Sequence, residues 1–223
     1  MIETGIRFGD IHSFYDLDLV LSSVEIPPAI PRTNYIEIEG RDGALDVSEA
    51  LGEMRYQDRT GCKFTFTMNP QSDLSEAAWE AKKTEVSNAL NGLAFKITLD
   101  KDPEYYYSGR CSVDNYQSNK RLRQFVITAR LHPYKFKQKT TVVTIPLTDD
   151  LQTVVLRNGR KTVIPTVTCT NDETVVIFDG STFVFSAGTH NHQYTKITLK
   201  QGENPVKVRG SGSITFEYQE ADL

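Results

Sequence analysis

Alternating apolar and polar residues recur along the whole chain and predict a protein built mainly of β-strands. In the first half, such runs occupy residues 17–26, 63–68, 94–99 and 123–131. Each run is rich in Val, Ile, Thr, Phe or Tyr and is bounded by turn-forming residues. We therefore expect a sheet with one face buried in a core.

One segment, residues 73–91, has helical periodicity instead. Asp73 and Glu76 stand three residues apart, as in a capping box, and Asn91-Gly92 offers a left-handed stop. An apolar stripe at roughly 3.6-residue spacing consists of Trp79, Val86, Leu90 and Leu93. This pattern predicts one helix that packs its apolar face on the sheet.

The pattern changes near residue 138, because only strand-like runs follow. They recur at the ~8–12 residue interval typical of sandwiches and barrels, and the last of them include residues 194–200, 205–210 and 213–219. Gly210-Ser211-Gly212 is expected to be a hairpin turn between the final two. The predicted fold is mainly β, with an α+β domain at 1–138 and an all-β sandwich at 139–223.

The stretch 27–59 fits neither a strand nor a helix, and it is too long and interrupted for a simple hairpin. It gathers carboxylates beside glycines in the segment IEIEGRDGALD, which raises the alternative of a glycan hydrolase. Glu37 and Glu39 would lie about 6.5–7 Å apart on one side of a strand, within the range that such enzymes use. However, Ile36 and Ile38 on the other side are the ordinary pattern of a half-exposed strand.

The sequence contains few signs of a nucleotide-binding, cysteine-based or metal site. There is no phosphate-binding glycine motif, and the three cysteines have no CxxC spacing. His190 and His192 could form a metal-ligand pair, but no further ligand at suggestive spacing completes a site. We therefore expect no catalytic residues, no metal and no cofactor, and predict that the protein is not an enzyme.

Charge and hydropathy limit the possible partners. The net charge of -4 argues against general binding to nucleic acids, and the basic run at 119–124 is expected to be a charged hairpin tip. No apolar run reaches the ~20 residues of a membrane helix, and the first residues do not form a signal peptide. We expect a protein made in the cytosol and not inserted in a membrane.

The order of several motifs resembles the distal tail protein (Dit) family of siphophages and related prophages. These motifs are the opening FGDIHSFYDLDLVL, the IxIxGRDGxLD block at 36–46, the YYYxGR block at 105–110 and the strand ending in PYK at 133–135. The resemblance covers residues 1–138 and continues less specifically into the second domain.

The resemblance implies an architecture and a place in the virion. It implies a first domain related to tail-tube proteins and a galectin-like second domain. Six copies would form a ring at the distal end of a phage tail, made in the cytoplasm of the host bacterium. The implied partners are the tail tube protein, the tape-measure protein, and a tip protein, tail-associated lysin or receptor-binding protein. DNA would only pass through the ring during ejection, without sequence-specific contacts.

Two sets of residues are candidate contacts. For a ring subunit, residues 27–59 would form an extended assembly arm, and the candidate interface residues are Arg41, Asp42, Gly43, Asp46, Arg55 and Arg59. The alternative is a carbohydrate-binding adhesin, for which the weak candidates are His190, His192 and Tyr194. The single tryptophan, Trp79, belongs to the first domain, so the sandwich lacks the residue most often used to stack on sugars.

Overall fold

The computed structural model describes residues 5–50, 52–119, 122–191 and 196–223. The chain divides into two compact units, Met1–Lys135 and Phe136–Leu223. Each unit has a hydrophobic core of its own. The described residues contain a single helix among many strands, which confirms the predicted mainly β fold.

The first unit is built on one long sheet. Its elements are β1 (Ile6–Phe8), β2 (Ile11–His12), β3 (Leu19–Glu25), β4 (Tyr35–Ile36), β5 (Leu45–Asp46), β6 (Arg59–Met68), α1 (Glu76–Leu90), β7 (Ala94–Leu99), β8 (Asp102–Asn119) and β9 (Leu122–Lys137). The strand order in the sheet is β2-β1-β7-β8-β9-β6-β3, and β4 pairs separately with β5.

The core of this unit follows from strand alternation. Phe64 and Phe66 of β6 lie opposite Ile127 and Phe125 of β9, and all four side chains are fully buried. The helix lies against this core, and the Trp79 ring stands 4.8 Å from that of Phe125 in an edge-to-face contact. Such pairs stabilise a core beyond the area that they bury.

The helix begins and ends slightly differently from the sequence prediction. Its N-cap is Ser75, whose hydroxyl accepts a hydrogen bond from the Ala78 amide, while Asp73 accepts from Ser75. The expected capping box at Asp73 was therefore wrong by two residues. The left-handed stop at Gly92 (φ +74°) is confirmed, but Leu93 lies beyond it and is 46% exposed, not part of the buried stripe.

The second unit is a sandwich of two four-stranded antiparallel sheets. Its strands are β10 (Thr141–Pro146), β11 (Gln152–Asn158), β12 (Thr166–Cys169), β13 (Thr174–Phe178), β14 (Ser181–Phe185), β15 (Gly188–His190), β16 (Gly202–Arg209), β17 (Ser213–Tyr218) and β18 (Ala221–Asp222). One sheet has the order β10-β17-β12-β15 and the other β11-β16-β13-β14. Alternate residues of both sheets, such as Val206 and Phe216, share one core.

Two local predictions in this unit were wrong. Gly210-Ser211-Gly212 is not a hairpin turn, because it joins β16 to β17, which belong to different sheets. The strand expected at 194–200 is also absent from its described part, 196–200, where only Leu199 makes an isolated bridge, to Val163. Local alternation could not show which strands pair.

Candidate assembly interface

A long excursion lies between β3 and β6, and its described residues, 27–50 and 52–58, form an extended ribbon that we call the arm. At its base the backbone amides of Arg32 and Gln57 donate to the carbonyls of Arg55 and Ile30, both at 2.8 Å. Further out, β4 pairs with β5, and Ile36 lies opposite Leu45. The arm therefore consists of two short paired stretches, which agrees with the expectation that it is not a simple hairpin.

The tip of the arm is a glycine turn. Gly40 (φ +79°) and Gly43 (φ +73°) both adopt the left-handed conformation that glycine tolerates at little cost. Arg41 and Asp42 lie between them and are exposed. Three of the predicted interface residues, Arg41, Asp42 and Gly43, are thus brought together at the most outlying turn of the arm.

Apolar side chains along the arm face solvent. Ile30 and Tyr35 are each 57% exposed, Ile36 is 48% exposed and Ile38 is 44% exposed. A two-stranded ribbon is at best marginally stable alone in water, and clustered exposed apolar residues mark interaction sites. The arm has the composition of a segment that another protein surface covers.

Asp46 and Arg55 have local roles in the arm. The Asp46 carboxylate accepts hydrogen bonds from the Ser48 amide (2.9 Å) and hydroxyl (2.5 Å). The side-chain and backbone bonds from Ser48 lower the pKa of this carboxyl group. The Ser48 hydroxyl in turn accepts from the Asn34 amide at 2.8 Å, which closes the ribbon. Arg55 is exposed and contributes its carbonyl at the base.

Arg59 is engaged inside its own chain. It is only 6% exposed; its Nε donates to the Pro133 carbonyl at 2.9 Å, and its Nη1 donates to the Pro27 carbonyl at 2.7 Å. Pro27 begins the arm and Arg59 follows it, so the guanidinium holds both ends of the arm to β9. The structure thus gives Arg59 an anchoring role within its own chain, and its contact with a neighbouring subunit stays a prediction.

A buried polar cluster explains the opening motif FGDIHSFYDLDL. The Nε2 atom of His12 lies 3.0 Å from the Asp100 carboxylate, and its Nδ1 accepts from the amides of Phe14 and Tyr15 at 3.1 and 3.2 Å. The Ser13 hydroxyl accepts from the Ile6 amide. Both ring nitrogens are occupied in this way, so the cluster fixes a tight loop and does not present an activated hydroxyl. Sequence reasoning missed this role.

The hydrolase candidates lie in an exposed position. Glu37, Glu39 and Arg41 line an open depression of about 460 Å³ at the arm tip. A glycosidase acid normally sits in an enclosed or apolar site that keeps it protonated. Both glutamates are exposed, so the arrangement does not favour that chemistry.

The adhesin candidates gain no support from the described part of the chain. His190 Nε2 lies 2.9 Å from the Ser186 carbonyl, and its ring packs 5.0 Å from that of Phe185. His192 and Tyr194 lie outside the described residues. Within those residues, no three His, Cys, Asp or Glu side chains are grouped so as to hold a metal ion.

The cysteines are core residues. Cys62, Cys111 and Cys169 are free thiols and are buried. Burial raises the pKa of all three, and that of Cys111 to about 12. Such thiols are poor nucleophiles. No helix among the described residues has the length and apolar character needed to span a membrane.

Comparison with known proteins identifies the fold. No known protein-family profile and no curated protein sequence matches the chain. Its fold, over both units, is that of a phage tail hub protein. A solved structure that shares it is Dit of phage SPP1, described as a paradigm of the hub of the adsorption apparatus in phages that infect Gram-positive bacteria. The TM-score is 0.70 at 13% identity, and the match covers 97% of this chain and 98% of that one.

Proposed function

We propose that the chain is a structural virion protein that forms a six-membered ring at the distal end of a long, non-contractile phage tail. The observation that carries this proposal is the match to SPP1 Dit, which spans nearly the full length of both chains. Because a shared fold alone does not determine function, the character of the arm is a necessary second support.

The arm supplies what a ring subunit needs. Obligate interfaces commonly bury more than ~2,000 Å², and a closed ring repeats one head-to-tail contact between unlike surfaces. The arm offers apolar side chains such as Ile36 and Ile38 together with the charged tip at Arg41 and Asp42. In the proposed ring these residues contact the neighbouring subunit.

The position in the tail sets the proposed partners. The ring joins the tail tube and tape-measure proteins on one side to a tip protein, tail-associated lysin or receptor-binding protein on the other. DNA passes through its channel during ejection. The net charge of -4 suits this role, because a strongly basic channel would retain the DNA electrostatically.

Three measurements test the proposal. Light scattering should give the mass of six subunits or of a multiple of six, and electron microscopy should show rings. Mass spectrometry should detect the protein in purified tails. A chain that stays monomeric under all assembly conditions and is missing from purified tails would overturn the proposal.

A charge reversal tests the arm tip. Asp42→Lys should shift the protein toward smaller species in light scattering, because a repulsive charge replaces an ion-pairing one at the contact. Its urea unfolding should stay within about 0.5 kcal/mol of the parent, since the residue is exposed. Asp149→Lys, an equal change at an exposed site of the second unit, is the control. An unchanged oligomer with Asp42→Lys would count against the predicted contact.

A further inference from the structure

The two sheets of the sandwich differ in what they present outward. On the sheet β10-β17-β12-β15, the outward residues Thr144, Thr215, Thr168 and Thr189 stand side by side across all four strands. Their hydroxyl oxygens are 2.9 Å apart in the first pair and 3.1 Å apart in the last. Apart from Val142, which is 57% exposed, this is the polar, solvated outer face expected of an antiparallel sheet that packs its other side on a core.

The outer face of the sheet β11-β16-β13-β14 combines apolar and charged side chains instead. Its outward apolar residues, with Leu151 just before β11, form what we call the valine face: Leu151, Val155, Val175, Ile177, Val184 and Pro205. Val184 is 66% exposed, Leu151 47% and Val155 46%. Val175 lies opposite Val184, and Val155 lies opposite Pro205, so they form two apolar pairs, with the row of Lys207 and Ile177 between them. Exposed apolar side chains grouped on one face are typical of interaction sites.

Two cations lie among these apolar residues. Lys207 is placed between Thr153 and Ile177 on the neighbouring strands, and Arg209 lies opposite Val175. Both are exposed, and neither forms an ion pair with any residue that the structure describes. A protein that covered the face would desolvate these charges, which is unfavourable unless it supplies carboxylates to pair with them.

The chain itself offers little to neutralise these cations. Glu203, a carboxylate of the same face, is already paired with Arg157 at 2.9 Å. Lys207 and Arg209 lie on β16, an inner strand of the sheet, so a two-fold axis that joined two copies at the centre of this face would pass close to them. Lys207 and Arg209 would then lie near the same cations of the other copy, and such like-charge contacts are repulsive.

We infer that the valine face is a docking surface for a different protein, one that presents apolar side chains together with carboxylates that reach Lys207 and Arg209. The apolar side chains favour a protein over an anionic polymer, which would use the cations alone. This goes beyond ring formation, because it assigns a second interface, on the sandwich, to a second partner. It rests on the proposed function only for the choice of partners to test, namely the proteins encoded beside this one.

The test uses the full chain and each neighbouring gene product, purified one at a time. Binding is measured by calorimetry at salt concentrations of about 0.1 M and about 1 M, between which the Debye length falls from ~10 Å to ~3 Å. The variants are Val184→Asp and the pair Lys207→Glu with Arg209→Glu. The matched control pair, Lys139→Glu with Lys200→Glu, changes net charge equally at exposed positions outside the valine face. Light scattering of each variant records its oligomeric state.

The expected result is that one neighbouring protein binds and that high salt weakens its binding. Both test variants should raise its Kd by about tenfold or more, while the control pair and the oligomeric state are unaffected. The inference is overturned if no neighbouring protein binds, or if binding survives both variants. Sensitivity to the charge pair but not to Val184→Asp would indicate an anionic polymer, and loss of the oligomer would indicate a second copy; either result also overturns it. A ring that binds none of the proteins leaves the proposed function intact.

Discussion

Arg59 joins both ends of the arm to the sheet through two main-chain carbonyls. The Arg59 side chain is 6% exposed, and two of its N–H groups donate hydrogen bonds to the carbonyls of Pro133 and Pro27. Hydrogen bonds from a charged donor are worth more than neutral ones, and removing that donor leaves the buried Pro133 carbonyl and the half-buried Pro27 carbonyl without this partner. At the scale of single residues, Arg59 therefore helps to fix the position at which the arm leaves the sheet.

We expect Arg59→Ala to lower the free energy of unfolding by about 2–3 kcal/mol, because two charge-assisted hydrogen bonds are lost. Urea unfolding monitored by tryptophan fluorescence measures the change, since Trp79 lies in the core of the same unit. Arg55→Ala, at an exposed position on the same arm, should change stability by no more than about 0.5 kcal/mol. Equal effects of the two substitutions would show that Arg59 is not an anchor.

Cys111 makes stability depend on alkaline pH. Burial raises the pKa of its thiol to about 12 in the folded chain, whereas an exposed thiol titrates near 8.5. Its contribution to stability is fully present below the unfolded pKa. Above that pH the unfolded state loses a proton that the folded state keeps, so this contribution declines as pH rises toward 12. The slope is roughly 1.4 kcal/mol per pH unit.

The measurement is urea unfolding between pH 8 and pH 10.5, within the ~8.5–12 window in which this thiol is ionised only when unfolded. Tyrosines and lysines titrate in the same window, so Cys111→Ala is compared with the parent. The variant should be less stable at neutral pH because it leaves a small cavity. It should also lose stability less steeply with pH. Parallel pH profiles would contradict the raised pKa.

At the scale of elements, the arm can be removed without touching the core. Arg32 and Arg55 face each other across the base of the ribbon, joined by a 2.8 Å hydrogen bond. A two-residue Asn-Gly turn suits antiparallel strands at this separation and can replace residues 33–54.

The shortened chain should unfold with a free energy within about 1 kcal/mol of the parent, because nearly all of the removed side chains are exposed or half-buried. It should fail to form the oligomer, as shown by its mass in light scattering. Retention of the ring by a folded, shortened chain would assign the interface to another part of the molecule.

The positions of the helix and strands were more predictable from the sequence than the pairing between strands. The strand predicted at 94–99 matches β7, and the helix was placed within a few residues, because apolar periodicity is a local property. The cap at Ser75 was missed because Asp73 carries the same kind of acceptor two residues earlier. The link at Gly210-Ser211-Gly212 was predicted wrongly because a crossover between two sheets and a hairpin turn favour the same residue types.

The candidate site was less predictable for a related reason. Arg41, Asp42 and Gly43 at the tip follow from their turn sequence alone. The anchoring role of Arg59 depends on Pro133, which is 74 residues away, and the His12 cluster depends on Asp100, 88 residues away. No local pattern encodes such pairs. The valine face was likewise hidden, because it requires knowing which strands are neighbours.

At the scale of the whole molecule, the boundary between the units has a measurable consequence. The sequence pattern suggested that the second domain begins at residue 139, whereas the second compact unit is Phe136–Leu223. The difference matters because Lys137 is tied to the end of the chain. Its amide donates to the Glu220 carbonyl at 3.0 Å, its Nζ lies 2.8 Å from the Glu220 carboxylate, and its carbonyl accepts from Gln219.

We therefore expect a fragment of residues 136–223 to fold alone around the sandwich core and to be more stable than a fragment of residues 139–223. The shorter fragment loses the contacts of Lys137 and leaves β18 without that partner, at a cost of roughly 2 kcal/mol. In a domain of this size that corresponds to a Tm about 10 °C lower in calorimetry. In the longer fragment, Glu220→Gln should remove only the ion pair and lower Tm by a small part of that difference. Equal Tm values for the two fragments would place the functional boundary at residue 139.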